Sequence, residues 1–376
     1  MTRELYNAAL QERRDAWEKQ GTRVTAFDQM AVLAEIRGAR SEFGLIPVNV
    51  LRGAIRRLDR AFAGFFRRCK NKQKPGYPRF RGRSRWNSIL IDDLTGAVPI
   101  CAGGKRLKVP LLGKVKLKLH RPLEGTPKAM RLKLESDGRW YVTFACIDVA
   151  AKPLPPTGHE VGVDLGITTF AATSDGDLFE NPRPLATARL KIERAQRRVT
   201  RRKRGSKRRR TAVRLLARHH AHATNVRRQN AIDVARALVA KYDTIYVEAL
   251  SVASLAKSML AKQVHDAGWG IFLHWLRVKA EEAGREVIEV NPAGTSQMCS
   301  DCGAEVPKVL SVRIHDCPHC GYVADRDVNA AQNVLGAGRA LRGEAVAVRT
   351  PRRSAKSKSS VVPNRSTPTG MVGGAS

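Results

Sequence analysis

The sequence predicts an α/β chain: a helical segment, then a small antiparallel β-barrel, then a longer half of alternating strands and helices interrupted by a metal ribbon. Three observations predict it. Apolar residues recur at helical spacing up to about residue 70, and at every second residue between about 87 and 150. Beyond 159, short apolar runs alternate with helical blocks, and four cysteines are spaced C-x2-C-x14-C-x2-C.

Each element follows from local chemistry. Leu51, Ile55, Leu58, Phe62, Phe65 and Phe66 form one apolar helical face. Arg52, Arg56, Arg57 and Arg60 decorate the other side without a carboxylate counter-pattern, which favours phosphate contact over a merely solvated face. In "NKQKPGYPRFRGRSRW" (71–86), Gly and Pro forbid a regular helix. Tyr77, Phe80 and Trp86 alternate there with cations that include Arg79 and Arg81. Rings for stacking and cations for phosphate make a nucleic-acid contact loop; a plain linker is the competing reading. "KVKLKLH" sets Val115, Leu117 and Leu119 on one strand face and lysines on the other. "MRLKLESDGRWYVTFACI" is two strands around a turn at Asp137 and Gly138, and "AKPLPPTG" (151–158) is a Pro-rich linker.

"EVGVDLGITTFAATSDG" then reads as a strand hairpin with Gly166 at a tight bend and Asp175 and Asp177 as turn formers. Leu185 to Lys241 is helical and basic; ten of the fourteen residues from Arg197 to Arg210 are Lys or Arg. "DTIYVEAL" and "REVIEVN" are short strands, and the chain beyond about Leu341 is expected to be disordered.

The balance of 68 Lys and Arg against 34 Asp and Glu, a net charge of +34, is too large for a neutral metabolic enzyme and points to a polyanionic partner, nucleic acid foremost; a solubilising basic surface is the competing reading. No run of 18 apolar residues and no signal sequence occur in the 376 residues, so no membrane partner is expected and the protein is placed in the cytoplasm, nucleoid-associated. Seven cysteines fit a reducing compartment with one metal site. Cys69, Cys101 and Cys146 are expected to be buried or semi-buried thiols.

Cys299, Cys302, Cys317 and Cys320 make two knuckles, each followed by a glycine, Gly303 and Gly321. Four sulfur ligands suit tetrahedral Zn²⁺, with a redox dithiol pair as the competing reading; they leave no position for an activated water, so the zinc is expected to be structural, contributing on the order of 10 kcal/mol to folding. Three acids remain. Asp164 lies inside the apolar run "VGVDLG", Glu248 ends "IYVEAL", and Asp327 follows the ribbon in "DRDVNAA". Buried carboxylates that cluster repel unless they share divalent cations. Two Mg²⁺ ions held this way would serve phosphodiester cleavage.

Asp164, Glu248 and Asp327, split by long insertions, look like the three motifs of a RuvC-type nuclease domain, which is RNase H-like. The motif order resembles the transposon-encoded TnpB (OrfB) family, ancestors of type V CRISPR effectors. The matching stretches are "GYPRF" (76–80), "VGVDLGI" (161–167), "NVRRQNAIDVARALV", "DAGWGIF" (266–272), "TSQMCSDCG" (295–303) and "DRDVNAAQN" (325–333). They span roughly residues 5–337.

The resemblance implies an RNA-guided DNA endonuclease. A guide RNA from the transposon end pairs with one strand, the protein reads a short flanking motif, and one RuvC site cuts both strands of a double-stranded DNA. It implies a helical recognition segment (1–70), a basic loop with a wedge-like β-barrel (71–150), a RuvC-like domain with a basic helical insertion (159–292), a zinc ribbon (293–323), a last RuvC-like motif (324–340) and a disordered tail (341–376). It also implies Mg²⁺ on Asp164, Glu248 and Asp327. Guide or heteroduplex contacts are expected at Arg201, Arg202, Lys203 and Arg204 and at Tyr77, Arg79, Phe80 and Arg81, with Arg52 and Arg56 near the flanking motif. One departure is that the family's opening strand has no counterpart ahead of "LYNAALQERRDAW". A guide-dependent repressor that does not cut, a compact type V effector, a stand-alone transposase and a ribosome-like RNA-binding ribbon protein remain as alternatives.

Overall fold

The computed structural model describes residues 1–94, 99–101, 103–109, 111–250, 261–291, 294–309 and 312–349, with side chains described through residue 343. The N-terminal part is helical: α1 (Thr2–Gln20), α2 (Ala26–Ala31), α3 (Leu33–Ala39), α4 (Ser41–Gly44) and α5 (Val48–Lys70). Thr25 and Asp28 form a capping box that starts α2. The apolar face of α5 is only partly a core. Leu51, Ile55 and Leu58 are fully buried, but Phe66 is exposed. The last turns of α5 project into solvent, which also leaves Cys69 exposed, contrary to expectation.

Strands β1 (Ser88–Ile91), β4 (Thr126–Leu134) and β5 (Trp140–Ile147) make an antiparallel sheet in the order β1-β4-β5. Strands β2 (Arg106–Val109) and β3 (Gly113–Lys116) make a separate hairpin. The expected turn lies between Leu134 and Trp140, where Asp137 accepts from the Arg139 N–H (2.9 Å). Among the described residues these strands do not close into a barrel. Helix α5 packs instead on β1 so closely that a Cβ on Gly53 would lie 2.2 Å from the Leu90 carbonyl oxygen. Leu107 and Val109 of the hairpin share one apolar core with Ile91, Met130 and α5.

A five-stranded sheet organises the second half. It comprises β6 (Glu160–Asp164), β7 (Thr169–Thr173), β8 (Leu178–Glu180), β9 (Thr244–Glu248) and β10 (Glu286–Val290), in the order β10-β9-β6-β7-β8. The β6-β7-β8 pairs are antiparallel, as short turns allow; β9 is parallel to both β6 and β10. The parallel pairs need crossovers, and helices supply them: α6 (Pro184–Thr200) and α7 (Lys207–Lys241) before β9, then α8 (Ala261–Ala267) and α9 (Trp269–Ala283) before β10. Val161, Val163, Ile245 and Val247 pack on α7 and α9.

The opposite sheet face takes the last helix, α10 (Arg326–Arg349), which follows the small hairpin of β11 (Ile314–Asp316) and β12 (Val323–Asp325). Gly162 permits this. A Cβ there would sit 2.0 Å from the Ala331 carbonyl oxygen. The tail expected to begin at Leu341 begins too early, since α10 continues to Arg349. Arg339 and Arg342 anchor it to Glu160 (3.0 and 2.6 Å). Residues 350–376 lie outside the described residues. No described helix is long and apolar enough to cross a membrane.

Candidate active site

Strand alternation decides where two of the three acids point. On β6, Val161 and Val163 face α7 and α9, so Gly162 and Asp164 face α10. On β9, Ile245 and Val247 face the same helices, so Tyr246 and Glu248 face α10. Gly162 pairs with Tyr246 and Val163 with Val247, and one step further sets Asp164 beside Glu248 at the carboxyl ends of both strands. Asp327 stands in the first turn of α10, the helix packed on that face.

The electrostatics record the convergence. Burial, then Glu248, then Asp327 push the Asp164 carboxyl up to about 8. Burial also raises Glu248, which is 7 % exposed; the Thr295 hydroxyl, donating to Glu248 Oε1 at 2.6 Å, opposes this. Asp327 has an Arg313 guanidinium 3.8 Å away, and Arg313 also donates to Thr168 Oγ1. Gly166 is needed for close approach: a Cβ there would lie 2.6 Å from the Thr169 carbonyl and 3.7 Å from Asp327 Oδ2.

Asp325, an acid to which the sequence assigns no job, is the cap of α10. Its Oδ1 accepts the N–H groups of Asp327 (2.8 Å) and Val328 (3.3 Å). An acid directly before a helical run was its signal.

The Sγ atoms of Cys299, Cys302, Cys317 and Cys320 lie within 4.8 Å of one another. Cys299 to Cys320 is 3.7 Å and Cys302 to Cys317 is 3.6 Å. A tetrahedron of sulfurs about 2.3 Å from zinc has edges of about 3.8 Å, so this cluster could hold such an ion. Gly303 and Gly321 adopt φ of 74° and 75°, the left-handed backbone that the knuckles require. Burial pushes the Cys317 thiol up, yet N–H groups of Cys320 and His319 and the neighbouring thiols bring it down to about 6.

One stripe of α10 holds the ribbon. Asn329 accepts from the Ser300 N–H (2.9 Å) and donates to the Met298 carbonyl (2.8 Å). Gln332 Oε1 takes hydroxyl donors from Ser300 (2.7 Å) and Tyr322 (2.8 Å), one beside each knuckle. Asn333 donates to the carbonyls of Thr295 and Met298, both at 2.8 Å. Sequence reasoning missed this clasp and Thr295. Its signal was the i, i+3, i+4 spacing of amides in "NAAQN".

The expected nucleic-acid residues lie on other elements, and none hydrogen-bonds or ion-pairs with the three acids. Arg52 is exposed, but Arg56 pairs with Asp92 (2.6 Å), so the arginine face of α5 does have a carboxylate partner. Arg57 turns inward, lying 4.5 Å over the Trp86 ring and donating to the Ser88 carbonyl, so Trp86 is not a free stacking ring. Tyr77 and Phe80 are exposed, and Tyr77 meets Phe62 and Phe65 edge-on. Arg79 and Arg81 are exposed, and Asn7 holds the Arg81 backbone in place. Arg201, Arg202, Lys203 and Arg204 are exposed in the turn between α6 and α7. A groove of about 450 Å³ beside this turn is lined by Lys191, Arg194, Arg198, Arg201 and His219. Asp266 of "DAGWGIF" ties these helices to the sheet domain, accepting from Leu185 N (2.8 Å), Ala186 N (3.1 Å) and Arg227 (3.1 Å).

Residues 137–259 match the family described as "Probable transposase" (OrfB_IS605), and residues 269–334 match "Cas12f1-like, TNB domain". A protein of Streptomyces pristinaespiralis named "Putative RNA-guided DNA endonuclease" is 33% identical, over 96% of this chain and 90% of its own length. One of Escherichia coli (strain K12), "Putative RNA-guided DNA endonuclease InsQ", is 28% identical over 90% of this chain and 86% of its own. Among solved structures, a Cas12f1-sgRNA-target DNA complex superposes with a TM-score of 0.53 at 15% identity, covering 89% of this chain and 80% of that one, a likeness of fold.

Proposed function

The chain belongs to the TnpB (OrfB) family of RNA-guided DNA endonucleases, and we propose that Asp164, Glu248 and Asp327 are its catalytic carboxylates in a single RuvC-like site. One observation carries this reading: three acids from distant segments converge on one end of a sheet, and their proximity, with burial, lifts Asp164 to about 8. Buried carboxylates clustered at such a place are a cost without a cation. The strand order β10-β9-β6-β7-β8, antiparallel on one side of β6 and parallel on the other, supports an RNase H-like domain.

The donor set fits divalent cations. Carboxylate oxygens are hard ligands suited to Mg²⁺, and two such ions, when bound, activate water and stabilise the oxygen that leaves the phosphodiester. Asp164, Glu248 and Asp327 would hold them. Thr295 fixes one oxygen of Glu248 and leaves the other free to ligate. Arg313 supplies a positive charge beside Asp327. The four cysteines take zinc as a structural ion, and the α10 amides tie that ribbon to the helix that carries Asp327.

The partners are a guide RNA, transcribed from the transposon end, and a double-stranded DNA with a short flanking motif. Arg201, Arg202, Lys203 and Arg204 hold guide or heteroduplex backbone by charge. Arg52 and the loop with Tyr77, Arg79, Phe80 and Arg81 face the remaining nucleic acid.

The test is the complex purified with its own RNA, offered a target library with randomised flanks. Mg²⁺-dependent double-strand cuts next to one flanking motif are expected, and Asp327→Ala should abolish them. Equal cutting by wild type and Asp327→Ala would remove the catalytic assignment.

A further inference from the structure

The β2–β3 hairpin carries two features that folding alone does not explain. The first is charge. Arg106 pairs directly with Lys116, and Lys108 with Lys114. All four are exposed, and none has an acidic partner among the described residues. Like charges directly opposite on a ribbon are destabilising. They cannot be relieved by a slip of register, because Leu107, 2 % exposed, and Val109 hold the other face in the core.

The second is the tip. Leu111 and Leu112 are 65 % and 68 % exposed, side by side at the end of the hairpin. Leu111 has φ of 67°, a left-handed backbone that a leucine rarely adopts and that Gly or Asn would take without strain. The Leu112 N–H donates to the Val109 carbonyl (3.1 Å).

We propose that this hairpin is a wedge that parts the base pairs of the DNA duplex, its cations gripping phosphates while Leu111 and Leu112 enter the base stack. Phosphates relieve the like-charge pairs, and base faces cover the leucines. Aliphatic side chains flanked by cations are the chemistry that unstacks a base step. An anionic membrane would also meet a basic, apolar tip, but a chain of +34 in an RNA-guided endonuclease family has a duplex to open. The choice of duplex rests on the proposed function; the base-parting itself is read without cleavage.

The experiment uses the full chain with its copurified guide RNA and targets carrying 2-aminopurine beside the flanking motif. Wild type and Asp327→Ala should both raise its fluorescence on binding. The Leu111→Ser, Leu112→Ser double variant should bind guide RNA as wild type, lose the fluorescence rise, and cut a fully paired target about tenfold more slowly. On a target with a pre-opened mismatched bubble it should cut at the wild-type rate. Leu111→Gly suits the left-handed backbone, so it keeps the fold and should still weaken opening. Equal slowing on paired and bubble targets, unchanged cutting of both, loss of guide RNA affinity, or leucine-dependent pelleting with phosphatidylserine vesicles would each overturn the wedge. If wild type cuts neither target, the endonuclease reading fails, and the fluorescence still decides whether the hairpin parts bases.

Discussion

Asp164 shows how one side chain can tie stability to function. Its carboxyl is ordinary at 3.8 and rises to about 8 in the fold. The folded state therefore holds this proton more tightly than the unfolded chain. Its contribution to stability is full below about pH 4 and is lost as pH rises towards about 8. In metal-free protein, Asp164→Asn should accordingly raise the melting temperature at alkaline pH while abolishing cleavage. Under the proposed assignment Mg²⁺ competes with the same proton, so the rise in Tm that it causes should grow between about pH 6 and pH 8.5 and lose this pH dependence in Asp164→Asn. Thermal melts at several pH values check both; a Mg²⁺ effect independent of pH would place the ion elsewhere. Thr295 acts through Glu248. Thr295→Val should weaken Mg²⁺ affinity by about 10- to 100-fold, measured as the Mg²⁺ concentration for half-maximal cutting, with little change in guide binding. Both acids were legible because a carboxylate inside an apolar strand is conspicuous. Thr295 was not, since a hydroxyl near a cysteine knuckle has no distinctive pattern and its partner is 47 residues away.

At the scale of elements, the contact between β6 and α10 matters most, and a glycine makes it possible. Gly162→Ala would set a Cβ 2.0 Å from the Ala331 carbonyl and 2.6 Å from the Leu335 N. Backbone cannot yield as a side-chain end can, so the helix must shift or the fold must loosen, at about 1–3 kcal/mol. Chemical denaturation should show that loss, and cleavage should fall further than stability because Asp327 moves with the helix. The ribbon acts on the same helix from the other side. Cys317→Ser should lower zinc content and reduce cutting without removing any catalytic group; a folded, zinc-poor variant that cuts normally would uncouple ribbon from site. The four-cysteine cluster was readable from spacing alone, since two short knuckles set four thiols close enough to hold one ion whatever surrounds them. The clasp of Asn329, Gln332 and Asn333 left only the i, i+3, i+4 spacing of its amides, which names no partner until the ribbon is placed. Among the described residues, the period-two strands form a three-stranded sheet and a separate hairpin, since alternation specifies faces and not closure, and α5 packs on β1.

Over the whole molecule, 68 cations against 34 acids predict binding that is steeply salt-dependent. Guide RNA affinity should fall by orders of magnitude between about 50 and 200 mM salt, and charge-reversing Arg201, Arg202 and Lys203 together should flatten that slope. A slope unchanged by the triple variant would move the main phosphate contact to α5 or the 71–86 loop. The sequence by itself determined composition-level and short-range matters: a polyanionic partner, a four-sulfur site, the period of each element and the three acids worth suspecting. These depend on residue type and on spacings of a few positions. Only the tertiary structure decided which arginines are free, as Arg52 is, and which are engaged, as Arg56 and Arg57 are. It alone brought Asp164, Glu248 and Asp327 to one end of a sheet. Those outcomes depend on strand order and helix approach, which arise from contacts between residues tens to hundreds of positions apart and leave no mark in any short stretch of chain.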